Sequence, residues 1–311
     1  MSLLIHINTD SWMPDKDLHA ILQPMMPETI IHLGRPDRVL EDVTMMATTD
    51  FDKDVMTFLP NLQLVQKLGA GVEAMVNDPH LPDHVRVTRL ASHNQAVEMA
   101  QYCLAYILHG QRNMAYHREQ QLAGVWHEIP SLRNEKTTVA VLGLGTIGSM
   151  IASMLLSFDF RVVGWSRSAK TIEGVECRAG AESLPAVLSK ADYVVAILPS
   201  TPETTDLFDG AMLQRMKPGS TLINIGRGTL IAEADLIAAL DAGTPGRAIL
   251  DVFREEPLPA GHPFWTHPAI TVTPHVSGWN IDDGFPDVAE NYRRLMAGEP
   301  LLHEIDRTAG Y

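Results

Sequence analysis

Read as apolar and polar positions, the chain alternates short apolar runs with polar stretches from its first residues onward. Runs at residues 3–7, 29–32, 43–47, 62–66 and 85–89 have strand length, and the segments between them carry helix and turn chemistry. That beat predicts a parallel sheet with crossover connections, because parallel neighbours cannot be joined by a tight hairpin. The period then changes. Ala96, Val97, Ala100, Cys103, Leu104, Ile107 and Leu108 recur at helical intervals, so one apolar helix face is predicted to about Tyr116, with Asn94 able to cap its start. A helix of that length between two sets of strands reads as a connector between domains. The strand beat returns at 138–142, 161–165, 192–197, 221–225, 247–251 and 269–273, with helices at 147–157, near 182–188, near 209–216 and ending at Gly243. Lys217-Pro218-Gly219 and Asp241-Ala242-Gly243 punctuate two helix ends. A last apolar helix at 288–297 follows a sheet already complete, and so belongs with the first set of strands.

Composition and charge narrow the picture. The chain has 311 residues, 45% hydrophobic and 20% charged, enough for two domains with cores of their own. A formal net charge of -14 argues against nucleic acid or an anionic membrane as a partner, since both call for a basic stripe. An anionic small substrate would need locally placed arginines. No apolar run approaches membrane-spanning length, and Met1-Ser2-Leu3-Leu4-Ile5-His6-Ile7 lacks the basic region of a signal peptide, so it reads as a first strand. Cys103 and Cys177 are far apart and form no C-x-x-C, which suits two core residues in a reducing cytoplasm. The 13 histidines include no H-E-x-x-H, and His262, His267 and His275 lack metal-ligand spacing, so no metal is expected.

Candidate chemistry begins at Val139-Ala140-Val141-Leu142-Gly143-Leu144-Gly145-Thr146-Ile147-Gly148, where an apolar run enters G-x-G-x-x-G. Gly143 would allow the tight turn, Gly145 would let a pyrophosphate approach the backbone, and Gly148 would let helix and strand pack closely. The unpaired N–H groups at the helix start would face the phosphates. A carboxylate for the adenosine ribose is expected about 20 residues further on, but the second strand ends in Gly164-Trp165-Ser166-Arg167-Ser168-Ala169-Lys170. Arg167 and Lys170 beside the hydroxyls of Ser166 and Ser168 would receive a 2′-phosphate, which favours NADP over NAD. The alternative is an exposed turn with chance basic residues.

Three polar stretches each follow a predicted strand: Asn224-Ile225-Gly226-Arg227-Gly228, then Asp251-Val252-Phe253-Arg254-Glu255-Glu256-Pro257, then Thr273-Pro274-His275-Val276-Ser277-Gly278-Trp279. Strand ends at one edge of an open α/β sheet form its ligand crevice, so Arg227, Glu256 and His275 can converge. A histidine moves a proton near neutral pH, a carboxylate orients it and favours imidazolium, and an arginine grips a carboxylate while polarising a carbonyl. Taken singly, each has a plainer role, as strand-end ion pair, solvated turn charge and loop histidine; joint placement after successive strands is what points to chemistry.

With these stretches the chain resembles the D-isomer-specific 2-hydroxyacid dehydrogenases over nearly its full length. The resemblance rests on the glycine-rich turn, Leu198-Pro199-Ser200-Thr201-Pro202-Glu203-Thr204, Gly226-Arg227-Gly228, Leu250-Asp251-Val252-Phe253 with Glu256-Pro257, and Pro274-His275. Within the family, Trp165-Ser166-Arg167-Ser168, the run at 263–268 and the ending at 305–311 are most similar to the bacterial glyoxylate/hydroxypyruvate reductases of the A type. The resemblance implies a catalytic Arg227, Glu256 and His275, with Asp251 contacting the nicotinamide carboxamide and Leu198-Pro199 lining the cofactor. The candidate cofactor site then comprises Gly143, Gly145, Thr146, Ile147 and Gly148; Ser166, Arg167, Ser168 and Lys170; Leu198, Pro199, Ser200 and Thr204; Ile225, Gly226, Asp251 and His275. Leu68-Gly69-Ala70-Gly71-Val72 matches the family's substrate loop, whose backbone N–H groups would receive the substrate carboxylate. Gly69, Ala70, Gly71, Arg227 and Trp279 are the candidate substrate-binding residues, with Leu68, Met46 and a partner copy's Trp126 candidates for the wall beside C3. Where this branch often places an aromatic residue, the chain has Met45-Met46-Ala47, and after the histidine it reads Ser277-Gly278-Trp279-Asn280, so side-chain preference departs from the pattern.

The expected fold class is α/β with two doubly wound parallel-sheet domains: a Rossmann dinucleotide-binding domain, residues 101–281, inserted in a discontinuous flavodoxin-like substrate domain, residues 1–100 and 282–311. The expected activity is NADPH-dependent reduction of a small 2-oxo acid, glyoxylate or hydroxypyruvate, with NAD as the lesser cofactor, in a cytoplasmic homodimer packed through residues 96–116 and the arm to Trp126. Two other readings stand beside it, a dehydrogenase for a bulkier 2-oxo acid and a nucleotide-sensing co-regulator on the same fold.

Overall fold

The computed structural model describes residues 1–9 and 12–307, so the last four residues of the ending at 305–311 lie outside the described residues. The chain divides into two compact units, Met1–Asn94 with Asn280–Tyr311, and Gln95–Trp279.

Among its described residues unit one holds five parallel strands, β1 (Ser2–His6), β2 (Ile30–Leu33), β3 (Val43–Thr48), β4 (Leu64–Lys67) and β5 (Arg86–Arg89), in the order β2-β1-β3-β4-β5. This is the flavodoxin-like doubly wound order. β1 and β3 are buried along their whole length, which is why they read as unbroken apolar runs. Successive side chains enter opposite layers. Leu3, Ile5 and Met45 pack with Leu18, Leu22 and, from the chain's last helix Phe285–Ala297, Phe285, Val288 and Tyr292; Leu4 and Met46 pack with Val55, Leu59 and Val65 on the other face. Met46 therefore cannot line a substrate wall as expected, because with Met45 it has no exposed surface and would have to leave this core.

Unit two holds seven parallel strands, β6 (Thr138–Leu142), β7 (Arg161–Ser166), β8 (Glu176–Ala179), β9 (Tyr193–Ala196), β10 (Thr221–Asn224), β11 (Arg247–Leu250) and β12 (Ile270–Val272). Their order, β12-β11-β10-β9-β6-β7-β8, is that of a dinucleotide-binding sheet with one further edge strand. β8 was not anticipated. It is an edge strand whose residues alternate between exposed and half-buried, so Glu-Cys-Arg-Ala carries no apolar run to betray it.

The connector differs from expectation in two ways. Its helix is His93–Gln111, and a second helix, Met114–Leu122, follows a break at Asn113, whose φ is +52°. The second helix buries none of its residues, so no apolar face holds it in line with the first. The start of the first helix is capped by Asp283 and not by Asn94: that carboxylate accepts from the N–H groups of His93 at 2.8 Å and Asn94 at 3.2 Å. Met99, Ala100, Cys103, Leu104 and Ile107 share a core with Val139, Val141 and Ile151, which places the division between units at 94/95, ahead of the expected 100/101. Among the described residues no helix is long and apolar enough to cross a membrane.

Candidate active site

The glycine-rich turn joins β6 to the helix Thr146–Ser157 in unit two. A Cβ on Gly148 would stand 1.7 Å from the carbonyl oxygen of Gly143, and Gly143 itself has φ +108°. Any side chain at 148 would push helix and strand apart, so the packing role assigned to it follows from contact. Gly145 is the helix N-cap without a side-chain cap bond, and a Cβ there would meet only open space. First-turn N–H groups beside an open cradle are what a pyrophosphate requires. Thr146 and Ile147 form the first turn of that helix.

At the end of β7, Ser166 is buried and donates its hydroxyl to the carbonyl of Ser168 at 2.8 Å. That bond curls the chain so that Arg167, Ser168 and Lys170 are exposed. The Glu203 carboxyl is held below its ordinary range, first by a hydrogen bond from Thr201 and further by the Arg167 charge, so the loop after β9 lies within electrostatic reach of this turn. In that loop Thr204 donates to the Pro199 carbonyl at 2.6 Å and accepts from the Thr201 N–H at 2.8 Å, while Ser200 accepts from Thr229 at 2.7 Å. Leu198 is buried.

Arg227 follows β10. Asn224, with no exposed surface, accepts from the Gly226 N–H at 3.1 Å and donates to the Arg227 carbonyl at 2.9 Å, closing the turn in which Arg227 stands. Ile225, buried beside it, donates its N–H to the Ala196 carbonyl at 3.1 Å. A Cβ at Gly228 would lie 1.9 Å from the Phe253 carbonyl carbon, so only glycine lets this turn approach the loop after β11. That loop carries Glu256, whose Oε1 accepts from the Phe253 N–H at 2.8 Å and whose Oε2 is 2.7 Å from His275 Nδ1. Glu256 and His275 are thus brought together in unit two.

The electrostatics of the pair favour charge on both partners. Burial opposes ionisation of Glu256, yet hydrogen bonds from His275 and the Phe253 N–H, with the charges of His275 and Arg227, hold its carboxyl below the ordinary range. The Glu256 hydrogen bond raises the His275 pKa; burial and Arg227 oppose it, and the charges of Glu256 and Asp251 add to the rise. With Nδ1 committed to Glu256, Nε2 is the nitrogen left to exchange a proton with a ligand.

Asp251 is fully buried. Its Oδ1 accepts from the Thr273 hydroxyl at 2.6 Å and the Val276 N–H at 2.9 Å, and its Oδ2 from the Ser277 N–H at 2.9 Å. A carboxylate offers about four acceptor positions, and three of these are filled from within the chain. Trp279 is half-exposed, its N–H donating to Glu98 at 2.7 Å. In unit one, Gly69, Ala70 and Gly71 are half-buried after β4; the Gly69 carbonyl accepts from the Leu90 N–H at 3.2 Å and that of Ala70 from Arg89 at 3.4 Å, which fixes the loop through its carbonyls. Trp126 is 91% exposed. Among the described residues no cluster of three or more His, Cys, Asp or Glu could hold a metal ion.

Sequence reasoning passed over Asn224, Thr273 and Tyr102, whose hydroxyl lies 2.6 Å from Thr273 Oγ1. Thr273 was at least adjacent to a recognised Pro-His pair; Tyr102 was one more residue on an apolar helix.

A family model for the NAD binding domain of the D-isomer specific 2-hydroxyacid dehydrogenases matches residues 104–277. The glyoxylate/hydroxypyruvate reductase A of Yersinia enterocolitica is 36% identical over 256 residues, spanning 80% of this chain and 82% of its own. That of Photorhabdus laumondii is 39% identical over 250 residues, spanning 78% and 80%. Among solved structures, a D-isomer specific 2-hydroxyacid dehydrogenase from Xanthobacter autotrophicus Py2 in complex with NADPH and MES superposes with a TM-score of 0.93 at 37% identity, covering 100% of this chain and 99% of that one. The NADPH-dependent glyoxylate/hydroxypyruvate reductase of Sinorhizobium meliloti, in complex with NADP and sulfate, gives 0.91 at 30% identity, with 100% of both chains covered.

Proposed function

Because the chain belongs to the D-isomer specific 2-hydroxyacid dehydrogenases, a family of NAD(P)-dependent oxidoreductases, we propose that it reduces small 2-oxo acids, glyoxylate and hydroxypyruvate among them, with NADPH as its reductant. The observation that carries the reading is the 2.7 Å contact of His275 Nδ1 with Glu256. It keeps an imidazolium available near neutral pH and presents Nε2 as the acid.

NADPH, when bound, supplies the hydride that goes to the substrate's C2. The chain's own residues do the rest. The open cradle at Gly145 and the Thr146–Ser157 helix start receive the pyrophosphate, and Arg167 and Lys170 with Ser168 receive the 2′-phosphate, whereas the buried Ser166, expected to share in this, has its only hydroxyl hydrogen committed to the Ser168 carbonyl and shapes the turn instead. The guanidinium of Arg227 grips the substrate carboxylate and polarises its carbonyl, and the N–H groups of Gly69, Ala70 and Gly71 are assigned to the same carboxylate. As negative charge develops on the carbonyl oxygen, His275 Nε2 gives it a proton, and Glu256 holds the ring on line. His275 is half-exposed, so the neutral imidazole recovers its proton from water. Trp279 is assigned to the wall beside C3, where a bulky side chain favours small substrates. We assign the apolar helix of the connector and the arm bearing Trp126 to an isologous homodimer; a monomer mass by light scattering at micromolar concentration would contradict that assignment.

The test of function is cofactor absorbance in a mixture of protein, NADPH and glyoxylate or hydroxypyruvate. Consumption of NADPH with equimolar formation of the 2-hydroxy acid is expected. Turnover confined to bulkier 2-oxo acids would overturn the substrate reading, and turnover of none would overturn the enzymatic one.

A further inference from the structure

His275 sits on a short turn whose shape is imposed from outside. Its φ is +54°, in the left-handed region that residues with a side chain disfavour. Most of the hydrogen bonds that hold the turn end on one residue, although the His275 N–H is shared with the Thr273 carbonyl at 3.0 Å. Thr273, Val276 and Ser277 donate to the carboxylate of Asp251, and the His275 N–H donates to the Asp251 carbonyl at 2.9 Å. The fully buried Asp251 is therefore the post around which residues 273–277 are wound.

The chain of hydroxyls behind that post has a definite direction. Thr273 Oγ1 carries one hydrogen, and it is donated to Asp251 Oδ1 in their 2.6 Å contact. In the 2.6 Å contact between Tyr102 and Thr273, the phenol must then be the donor. Tyr102 comes from the helix His93–Gln111 and stacks at a tilt on Tyr106, with ring centroids 4.8 Å apart. Burial pushes its phenol pKa up, the Thr273 hydrogen bond opposes this, and the charges of Asp251, Tyr106 and Cys103 add to the rise, so the donor keeps its proton throughout the working range.

We propose that Tyr102 and Thr273 are positioning residues for His275: the directed chain from the Tyr102 hydroxyl to Thr273 Oγ1, and from the Thr273 hydroxyl to Asp251 Oδ1, fixes the 273–277 turn and so the alignment of the imidazole on Glu256. The groups facing His275 are Glu256 and Asp251, which favour the imidazolium, and Arg227, which opposes it. Loosening the turn weakens its contact with the two carboxylates. The imidazole should then lose its proton at lower pH.

This inference rests on His275 being the acid, so its test reads His275 directly as well as through turnover. The imidazole is titrated by NMR, its signals identified by their loss in His275→Asn, in the unchanged protein and in Tyr102→Phe, Thr273→Val and Thr273→Ser; NADPH and glyoxylate kinetics are measured alongside. Tyr102→Phe and Thr273→Val should titrate at lower pH than the unchanged protein, and Thr273→Ser should match it. kcat should fall about tenfold in the first two, the lower end of what outer partners of a site contribute, with KM for NADPH within about twofold. A role in packing alone predicts the opposite order, since Val keeps the shape of Thr and Ser does not. That order, or an unmoved titration in both Thr273→Val and Tyr102→Phe, overturns the proposal. Should Thr273→Val fail to fold, Tyr102→Phe, which removes a single oxygen atom, decides the matter. A shifted titration in a protein that turns over no 2-oxo acid supports the chain of hydroxyls and overturns the proposed function instead.

Discussion

Two loops at strand ends of unit two, the turn of His275 at 273–277 and the basic turn at 166–170, are built on opposite plans. In the first, donors converge on a buried carboxylate, the central residue is held in a disfavoured backbone conformation, and the imidazole is fixed by a 2.7 Å contact. In the second, one buried serine hydroxyl shapes the turn, and Arg167, Ser168 and Lys170 stand in the open. The difference matches what each loop is asked to do. Proton transfer needs an atom placed within hydrogen-bond reach of the reacting oxygen, and small displacements there are costly. Recognition of a phosphate tolerates long side chains that reach it from several directions, because a charge acts over a distance that a proton cannot cross.

The largest effect should come from breaking the first loop at its centre. His275→Ala removes the acid while leaving the cofactor cradle intact, so kcat for glyoxylate reduction should fall by about 10²–10⁴-fold. KM for NADPH should barely move. Steady-state kinetics with full retention of kcat would show that the proton comes from elsewhere.

A smaller and differently shaped loss is expected in the second loop. Arg167→Ala should raise KM for NADPH about tenfold, the lower end of what a charge-assisted hydrogen bond of about 1.5–3 kcal/mol contributes, because the site is exposed. KM for NADH, which lacks the 2′-phosphate, should change far less. Equal losses with both cofactors would deny the arginine its phosphate.

The same contrast explains what could be read from the chain alone. The glycine-rich turn was legible because it is local and sterically forced: no other residue satisfies the 1.7 Å approach at Gly148. Arg227 and Glu256 could be picked out because each follows a buried strand whose apolar run is visible, and His275 because its strand, although only half-buried, keeps the apolar residues Ile270 and Val272. The supports of the site were not, since Tyr102 and Thr273 are 171 residues apart in sequence, and a hydroxyl pair has no periodicity and no composition signal. β8 and the break at Asn113 escaped for a related reason: apolar burial gives a pattern its contrast, and both are poorly buried. Met46 misled in the opposite direction, since a strand buried on both faces gives no clue which residue could reach a ligand.

Glu256→Gln gives the finest probe of the first loop, because it keeps the shape and removes the charge. Glutamine's carbonyl oxygen can still accept from the His275 Nδ1–H, so the ring should remain oriented and the maximal rate should change little compared with His275→Ala. What disappears is the negative charge that, with its hydrogen bond, raises the His275 pKa. Reduction needs the imidazolium, so activity is present below the His275 pKa and is lost as pH rises through it. With that pKa lowered, the alkaline limb of kcat/KM should move to lower pH, while the acid side, where His275 is charged in both proteins, should stay closer to the original. Measured as a pH series with glyoxylate and NADPH, a limb that stays where it was would mean that Glu256 orients the ring without setting its charge, and a limb that moved to higher pH would remove Glu256 from the proton's environment altogether.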